Sequence, residues 1–289
     1  MRGKGRTVIG RGGIKGSGPE LIERFNAYVG KNLGDHFQSV PGKFRVSGHN
    51  VVVGTYRPPD GAAVRELMVR LCDWMKKEFQ YAAGKQSFAE QVLQAIVFHV
   101  YIAWIHPFGD GNGRTARLIE FYILLRAGLP DIASHILSNF YNETREEYYR
   151  QLDTATRENS LSSFIKYAVT GFRDGLVDVL NIVQANLLET SWHNFIYEMI
   201  DSKKAAGKSK AIVKRRRSLA LNFPTDKFYT LDEVMNTVAP ITREYARHSP
   251  VTLRRDIAEL ERLEIIVSSG PKFKGNMEIL KGLMPMRKG

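Results

Sequence analysis

The chain has 289 residues, of which 43% are hydrophobic and 25% charged, a composition typical of a soluble globular protein with one large or two smaller domains. Its formal net charge of +12 is concentrated at the two ends. A basic end attracts nucleic acid or another polyanion, although a solvated basic tail gives the same composition. Cys72 is the single cysteine, which excludes an intrachain disulfide and fits a cytoplasmic location, and we expect its thiol to pack in the core.

The first part of the chain combines a polar leader, a helix and two strands. Residues 1–19 are rich in glycine and poor in apolar residues, which predicts a flexible basic leader rather than a signal peptide. From Pro19, the sequence PELIERFNAYVGKNL predicts a short helix. The next segment predicts two strands, Lys43–Ser47 and Val51–Tyr56, joined by a Gly-His-Asn turn and ended by two prolines.

Beyond residue 60 the apolar spacing predicts helices to about residue 190. They are Ala62–Gln80, Phe88–Ile105, Thr115–Ala127, Glu143–Thr156 and Leu161–Leu176, the last continuing through Asn186. Phe88–Ile105 is apolar on nearly all sides, which predicts a helix at the centre of a bundle. Its apolar run is interrupted by Gln94 and His99 and is too short to span a bilayer, so we expect no membrane insertion. We interpret His99 as a core histidine.

The composition changes after residue 190. Residues 191–217 include the basic sequence SKKAAGKSKAIVKRRR and are predicted to be a connecting helix or linker. Residues 218–289 predict three short helices followed by a β-hairpin, which indicates a separate small domain.

The sequence HPFGDGNGRTAR, residues 106–117, follows the most apolar helix and carries the chemistry. Its glycines allow backbone N–H groups to point inward, and the helix that begins after them has a positive end suited to phosphate. Arg114 and Arg117 fit an anion between them, Asp110 offers an oxygen ligand for Mg²⁺, and His106 can exchange a proton near neutral pH. Together they indicate phosphoryl or nucleotidyl transfer. The alternative is a glycine-rich turn with surface arginines and no ligand.

This sequence resembles the signature of the Fic family, His-Pro-Phe-x-Asp/Glu-Gly-Asn-Gly-Arg-x-x-Arg, at every fixed position. The resemblance covers roughly residues 20–190. It implies a mainly α fold, a Fic-type helical bundle with a small β-hairpin flap. It also implies an enzyme that transfers AMP from ATP to a Ser, Thr or Tyr hydroxyl of a target protein and releases pyrophosphate. ATP and a target protein would then be its partners.

The resemblance implies a role for each motif residue. His106 would be the general base, Asp110 would hold Mg²⁺, and Pro107 and Phe108 would fix the loop. Arg114 would contact the β-phosphate region and Arg117 the γ-phosphate. The residues implied to bind ATP are Gly111, Asn112, Gly113, Arg114 and Arg117, with Asn112 adding its side chain.

Two neighbouring segments resemble family features less specifically. The hairpin resembles a flap that adds the target segment as a strand, with an ordinary surface hairpin as the alternative. The residues implied to bind the target are Val51, Val52, Val53, Gly54 and Thr55. Tyr148 and Tyr149 could flank the adenine, although aromatic residues on a helix are more often core.

Many relatives inhibit themselves with a helix carrying Ser/Thr-x-x-x-Glu-Gly/Asn upstream of the flap. Residues 1–50 contain no such sequence. Residues 154–159, TATREN, fit the pattern by letters but fall within the predicted core helices.

Residues 218–289 resemble a winged helix-turn-helix. Its recognition helix would present Thr252, Arg254 and Arg255 to DNA, and Lys272 and Lys274 would lie on the wing. Four acidic residues reduce the positive charge of this face: Asp256, Glu259, Glu261 and Glu264. Protein interaction, including a homodimer, is therefore an equal alternative.

Two other functions remain open at this point. A Fic-type enzyme could transfer a phosphate or another nucleotide. The chain could also be a DNA-binding regulator that senses a nucleotide.

Overall fold

The computed structural model describes residues 18–79, 87–201 and 209–281, and these form two compact units divided between Val179 and Leu180. The predicted leader lies almost entirely outside the described residues. The prediction of a mainly α protein is confirmed, because helices account for most of the described residues.

The first unit is mainly helical in its described residues, with a long irregular segment at residues 31–60 that contains a short 3₁₀ turn at Gly34–His36. Its helices are α1 (Pro19–Gly30), α2 (Gly61–Glu78), α3 (Phe88–Ile105), α4 (Asn112–Arg126), α5 (Asp131–Ser134), α6 (Ile136–Glu143), α7 (Arg145–Glu158) and α8 (Ser162–Asp201). The division between the units falls within the residues of α8, so residues 162–179 belong to the first unit and residues 180–201 to the second.

Helix α3 lies at the centre of the first unit, as predicted. Ser87 and Glu90 form a capping box that fixes its first turn. Its side chains contribute to two separate groups of buried residues, one containing Ile96 and Val100 and the other Ile102. Among the described residues it is also the one helix long and apolar enough to cross a membrane, so the prediction that its apolar run is too short for this is wrong. It is 56% buried, as in the core helix of a globular unit.

The predicted β-hairpin over residues 43–56 is wrong. The described segment has only isolated bridges, between Phe44 and Phe108 and between Val53 and Tyr56. The backbone N–H of Arg45 donates to the carbonyl of Pro107 at 2.8 Å, so the first predicted strand pairs with the HPFGDGNGRTAR loop instead of with the second. The alternating apolar residues of this segment predict a hairpin. A local sequence pattern does not reveal a hydrogen-bonding partner from another part of the chain, and the prediction therefore fails.

The second unit combines short helices with a small antiparallel sheet. The predicted C-terminal hairpin is present, with Ile266 opposite Gly275. The strands lie in the order β1 (Tyr229–Thr230), β3 (Lys272–Gly275), β2 (Ile266–Ser269). The elements after α8 are α9 (Lys210–Asn222), β1 (Tyr229–Thr230), α10 (Leu231–Thr237), α11 (Ala239–Tyr245), α12 (Pro250–Arg262), β2 (Ile266–Ser269), β3 (Lys272–Gly275) and α13 (Glu278–Lys281).

Residues 191–217, predicted to be a connecting helix or linker, are helical in the part that the structure describes, but they are not a solvated connection. Trp192, Ile196 and Ile200 are buried in the core of the second unit together with Leu219. These apolar residues repeat every four positions and form a stripe that faces the core, a pattern obscured in the sequence by the many basic residues around it.

Candidate functional site

The HPFGDGNGRTAR loop connects the end of α3 to the start of α4. Helix α3 ends at Ile105, and the next residue, His106, adopts the left-handed backbone conformation with φ 49° and ψ 59°. Gly111, also left-handed at φ 78°, immediately precedes α4, which begins three residues earlier than predicted. A side chain at Gly111 would come within 2.9 Å of Phe37, so both its conformation and its packing require glycine.

The imidazole of His106 is half-buried, and its Nδ1 lies 3.3 Å from the carbonyl oxygen of Ala103. A carbonyl can only accept, so Nδ1 carries the proton in the neutral ring and Nε2 has the free electron pair. Burial lowers the pKa of His106, the bond to Ala103 opposes this, and the nearby charge of Arg45 lowers it further. His106 is therefore neutral at neutral pH and able to accept a proton at Nε2.

Phe108 and Asn112 fix the loop from inside. Phe108 is fully buried, with its ring 5.1 Å from that of Phe44. The buried amide of Asn112 accepts from the backbone N–H of Phe108 and donates to its carbonyl, both at 2.8 Å. The side chain of Asn112 is thus used by the fold, which contradicts the expectation that it contributes to an anion site.

Asp110 lies at the open side of the loop. One carboxylate oxygen accepts from the backbone N–H of Gly111 and from Arg114 at 3.0 Å, and the other accepts from the N–H of Gln38 at 3.2 Å. Its side chain is 27% exposed. A single accessible carboxylate suits Mg²⁺, which binds proteins through one or two carboxylates and takes its other ligands from phosphate and water.

The first turn of α4 presents free donors. In the part of the chain that the structure describes, the backbone N–H groups of Asn112, Gly113 and Arg114 have no hydrogen-bond acceptor. Half-buried Arg117 is close by, with one guanidinium nitrogen 3.7 Å from where a side chain at Gly113 would begin. These groups together form a positively polarised surface suited to an anion.

Two buried polar residues that the sequence did not single out hold this loop in place. Asn26 of α1 donates to the carbonyl of Asp110 and to the hydroxyl of Thr115, both at 3.1 Å, and accepts from the N–H of Gly42. Arg45 binds carbonyls at the end of α3. Asn26 could have been found, since it interrupts the apolar face of α1; nothing in the sequence distinguishes Arg45.

His99 is a core histidine, as predicted. It is 1% exposed, its Nε2 lies 3.0 Å from the hydroxyl of Tyr148, and its Nδ1 lies 3.4 Å from Glu120. Burial raises the pKa of Tyr148 well above its ordinary value. The structure thus places Tyr148 in the core and leaves Tyr149, which is 50% exposed, as the accessible one of the two tyrosines predicted at the adenine.

The other predicted segments lie as follows. Residues 51–55 form an irregular, largely exposed stretch, with Val52 62% exposed. Residues 154–159 form the last turn of α7, where Asn159 adopts the left-handed conformation that ends the helix, so its place in the TATREN pattern has a local reason. Among the described residues, no carboxylate forms an ion pair with Arg117, Glu158 included.

The N-terminal part of α12 exposes Arg254 and Arg255, with Thr252 half-buried. The expectation that Asp256 reduces the positive charge of this face is wrong, because its carboxylate is fully buried between Arg215 and Arg216 at 2.7 and 2.8 Å. Nucleic-acid binding by this face stays a prediction.

Cys72 is buried, as expected, and burial raises the pKa of its thiol to about 11. It is therefore a packing residue.

Comparison with known proteins gives a family match within the first unit. Residues 18–124 match the model of the Fic/DOC family. A protein adenylyltransferase fic-1 from Caenorhabditis briggsae is 33% identical over 126 residues, which cover 44% of this chain and 22% of that protein. A protein adenylyltransferase Fic from Culex quinquefasciatus is 34% identical over 127 residues, with the same two shares. The matched part thus spans about a fifth of these relatives.

Two solved structures are also similar. A Fic family protein from Desulfovibrio desulfuricans G20 is 17% identical, with a TM-score of 0.47 over 90% of this chain and 69% of that one. Fic-1 from C. elegans is 25% identical, with a TM-score of 0.44 over 58% of this chain and 44% of that one.

The loop after α3 retains every fixed residue of the Fic signature, and the family model covers that loop together with α1 to α3 and most of α4. The match to the Fic/DOC family model is thus confined to residues 18–124 and includes this loop.

Proposed function

We propose that this protein is a protein adenylyltransferase, which transfers AMP from ATP to a Ser, Thr or Tyr hydroxyl of a target protein. The observation that carries the proposal is the juxtaposition in one short loop of a neutral imidazole with a free Nε2 and a helix start with unused N–H groups. The names of the relatives support AMP as the transferred group.

The residues of the loop divide the work. The N–H groups at the start of α4 and the guanidinium of Arg117 bind the phosphates and orient the α-phosphorus. Nε2 of His106 accepts the proton of the target hydroxyl as its oxygen attacks that phosphorus. The bond from the α-phosphorus to the bridging oxygen breaks, and pyrophosphate leaves. Arg114 must leave Asp110 to reach the phosphates.

Asp110 would hold a Mg²⁺ ion, which supplies charge neutralisation of the phosphates when it is bound. The carboxylate fits this role because it is accessible and adjacent to the free N–H groups.

A cavity of about 600 Å³ adjoins the loop and is a candidate binding site for the segment of the target protein that carries the hydroxyl. Its walls include Gly109 of the loop, Phe44 and Val46 of the irregular segment, and Ala62 at the start of α2. The exposed residues 51–55 lie in the same irregular segment.

The test is labelling of the protein and of a cell lysate with ATP that carries the label on either the α- or the γ-phosphate. We expect incorporation of the α-label and its loss in His106→Ala. Incorporation of the γ-label instead would identify a phosphate-transferring enzyme. Undiminished α-labelling by His106→Ala would contradict the role of His106.

A further inference from the structure

Arg45 is an interior arginine whose guanidinium, within the described part of the chain, donates its hydrogen bonds to backbone carbonyls. It is 3% exposed, and its guanidinium donates to the carbonyls of His106 at 2.8 Å, Ile105 at 3.2 Å, His49 at 3.0 Å and Pro59 at 3.0 Å. Burial lowers its pKa, and the charge of Asp60 opposes this. An interior guanidinium is costly unless its donors are satisfied, and here Nε and both terminal nitrogens have acceptors.

Two of the four carbonyls belong to the end of α3. The last carbonyls of a helix have no partner within it, and a cation beside them is favoured by the helix dipole. His106 itself adopts a left-handed backbone conformation that is uncommon for residues other than glycine and that persists only where neighbours hold it. The Nε–H of Arg45 and its backbone N–H, which bind the carbonyls of His106 and Pro107, provide that hold.

The other two carbonyls, those of His49 and Pro59, flank the exposed residues 51–55. The side chain of Arg45 thus connects the end of α3 to both ends of residues 49–59, which lead to α2. We propose that Arg45 is a positioning residue that fixes the orientation of His106 and the position of His106 relative to residues 49–59. This inference rests on the proposed function for its catalytic consequence, while its structural part stands on the four contacts.

The experiment compares Arg45→Lys and Arg45→Gln with Arg70→Gln, a control on the exposed side of α2. Lysine keeps the charge but cannot donate to four carbonyls from a planar group. Because displacement of a catalytic group by about 1 Å costs roughly 100-fold in rate, we expect both Arg45 variants to lose about that factor in maximal α-label incorporation. The ATP concentration at half-maximal rate should change by less than about twofold, since Arg45 touches none of the free N–H groups of α4.

Two NMR measurements do not depend on turnover. In the wild-type protein the Nε–H of Arg45 should exchange slowly with water, unlike that of Arg70. In Arg45→Lys the imidazole signals of His106 should shift, whereas they should not in Arg70→Gln.

The outcomes separate the two proposals. An Arg45 Nε–H that exchanges as fast as that of Arg70, or an Arg45→Lys variant with unchanged His106 signals and rate, overturns the positioning role. The exchange measurement decides this even if neither Arg45 variant folds. A wild-type protein that incorporates no label contradicts the proposed function, but leaves the NMR test of Arg45 intact.

Discussion

Gly111 and Gly113 stand two positions apart in the loop and are glycine for different reasons. Gly111 has a positive φ and lies against Phe37, so the fold itself requires it. Gly113 lies in the first turn of α4, is exposed, and has ordinary space for a Cβ. Neither backbone conformation nor packing explains glycine there. Close approach of a ligand to the backbone does, which is what a phosphate on the N–H groups of α4 would require.

Gly113→Ala is therefore expected to separate folding from binding. The free energy of unfolding should be unchanged or higher by up to about 1 kcal/mol, because alanine is the better helix former. ATP binding should weaken by roughly tenfold or more, since a methyl group obstructs the phosphate. Urea unfolding and calorimetric titration with ATP and Mg²⁺ measure the two effects.

Gly111→Ala is the matched control and should lower the free energy of unfolding. If Gly113→Ala bound ATP with wild-type affinity, the hypothesis that a phosphate binds at this turn would be contradicted.

At the scale of elements, α1 has a function beyond packing. Its Asn26 is fully buried and joins the loop, α4 and residue 42 through three hydrogen bonds. The positions of α3 and α4 relative to the irregular segment are thus set partly by one amide on a third helix. The match to the Fic/DOC family model includes α1, a helix that contributes no residue to the proposed chemistry.

We expect Asn26→Ala to lower the free energy of unfolding by about 1–3 kcal/mol, because it leaves buried polar groups without partners. Amide hydrogen exchange should rise in the loop and at Gly42, and remain unchanged in α7. Asn142→Ala, on the exposed side of α6, is the control and should have little effect. Equal exchange of the loop in both variants would show that Asn26 does not order it.

Elements that depend on local sequence are predicted better than pairings between distant parts of the chain. Phe88–Ile105 was predicted with its observed bounds because its apolar composition and terminal cap are local properties. Helix α4 begins earlier than predicted because a left-handed Gly111 and the contacts of Asn112 with Phe108 start it inside the glycine-rich loop. The prediction of a hairpin at residues 43–56 was wrong because Arg45 pairs with Pro107, which lies 62 positions away in the sequence.

At the scale of the whole molecule, the second unit has a polar centre of its own. Asp256 of α12 accepts from Arg215 and Arg216 of α9 and from the hydroxyl of Tyr245 at 3.0 Å. Burial raises the pKa of Asp256, but the hydrogen bonds from both arginines and the tyrosine outweigh this and hold it below its ordinary value. The basic sequence KRRR is thus partly a set of internal ligands for one carboxylate, rather than a freely available positive surface.

Asp256→Asn should lower the free energy of unfolding of the second unit by about 3–5 kcal/mol, because two guanidinium groups lose their buried partner. Since the folded pKa is lowered, the stabilisation by Asp256 is present above its unfolded pKa and is lost as the pH falls through the folded value. The variant should lack this acid-dependent step. Hydrogen exchange of residues 210–275 in the full chain, measured against pH, reports both effects.

Asp232→Asn, an exposed substitution of the same kind, is the control. An Asp256→Asn variant with the acid profile of the wild type would mean that another group carries the pH dependence.

The sequence by itself determined the helical class, the central helix and the composition of the loop, because these depend on spacing and residue type along a continuous stretch. Only the tertiary structure decided that Asn112 serves the fold, that Asp256 is internal, that the hairpin is absent and that Asn26 and Arg45 hold the loop. Each of these depends on which distant group satisfies a buried donor or acceptor, and no local pattern encodes that choice.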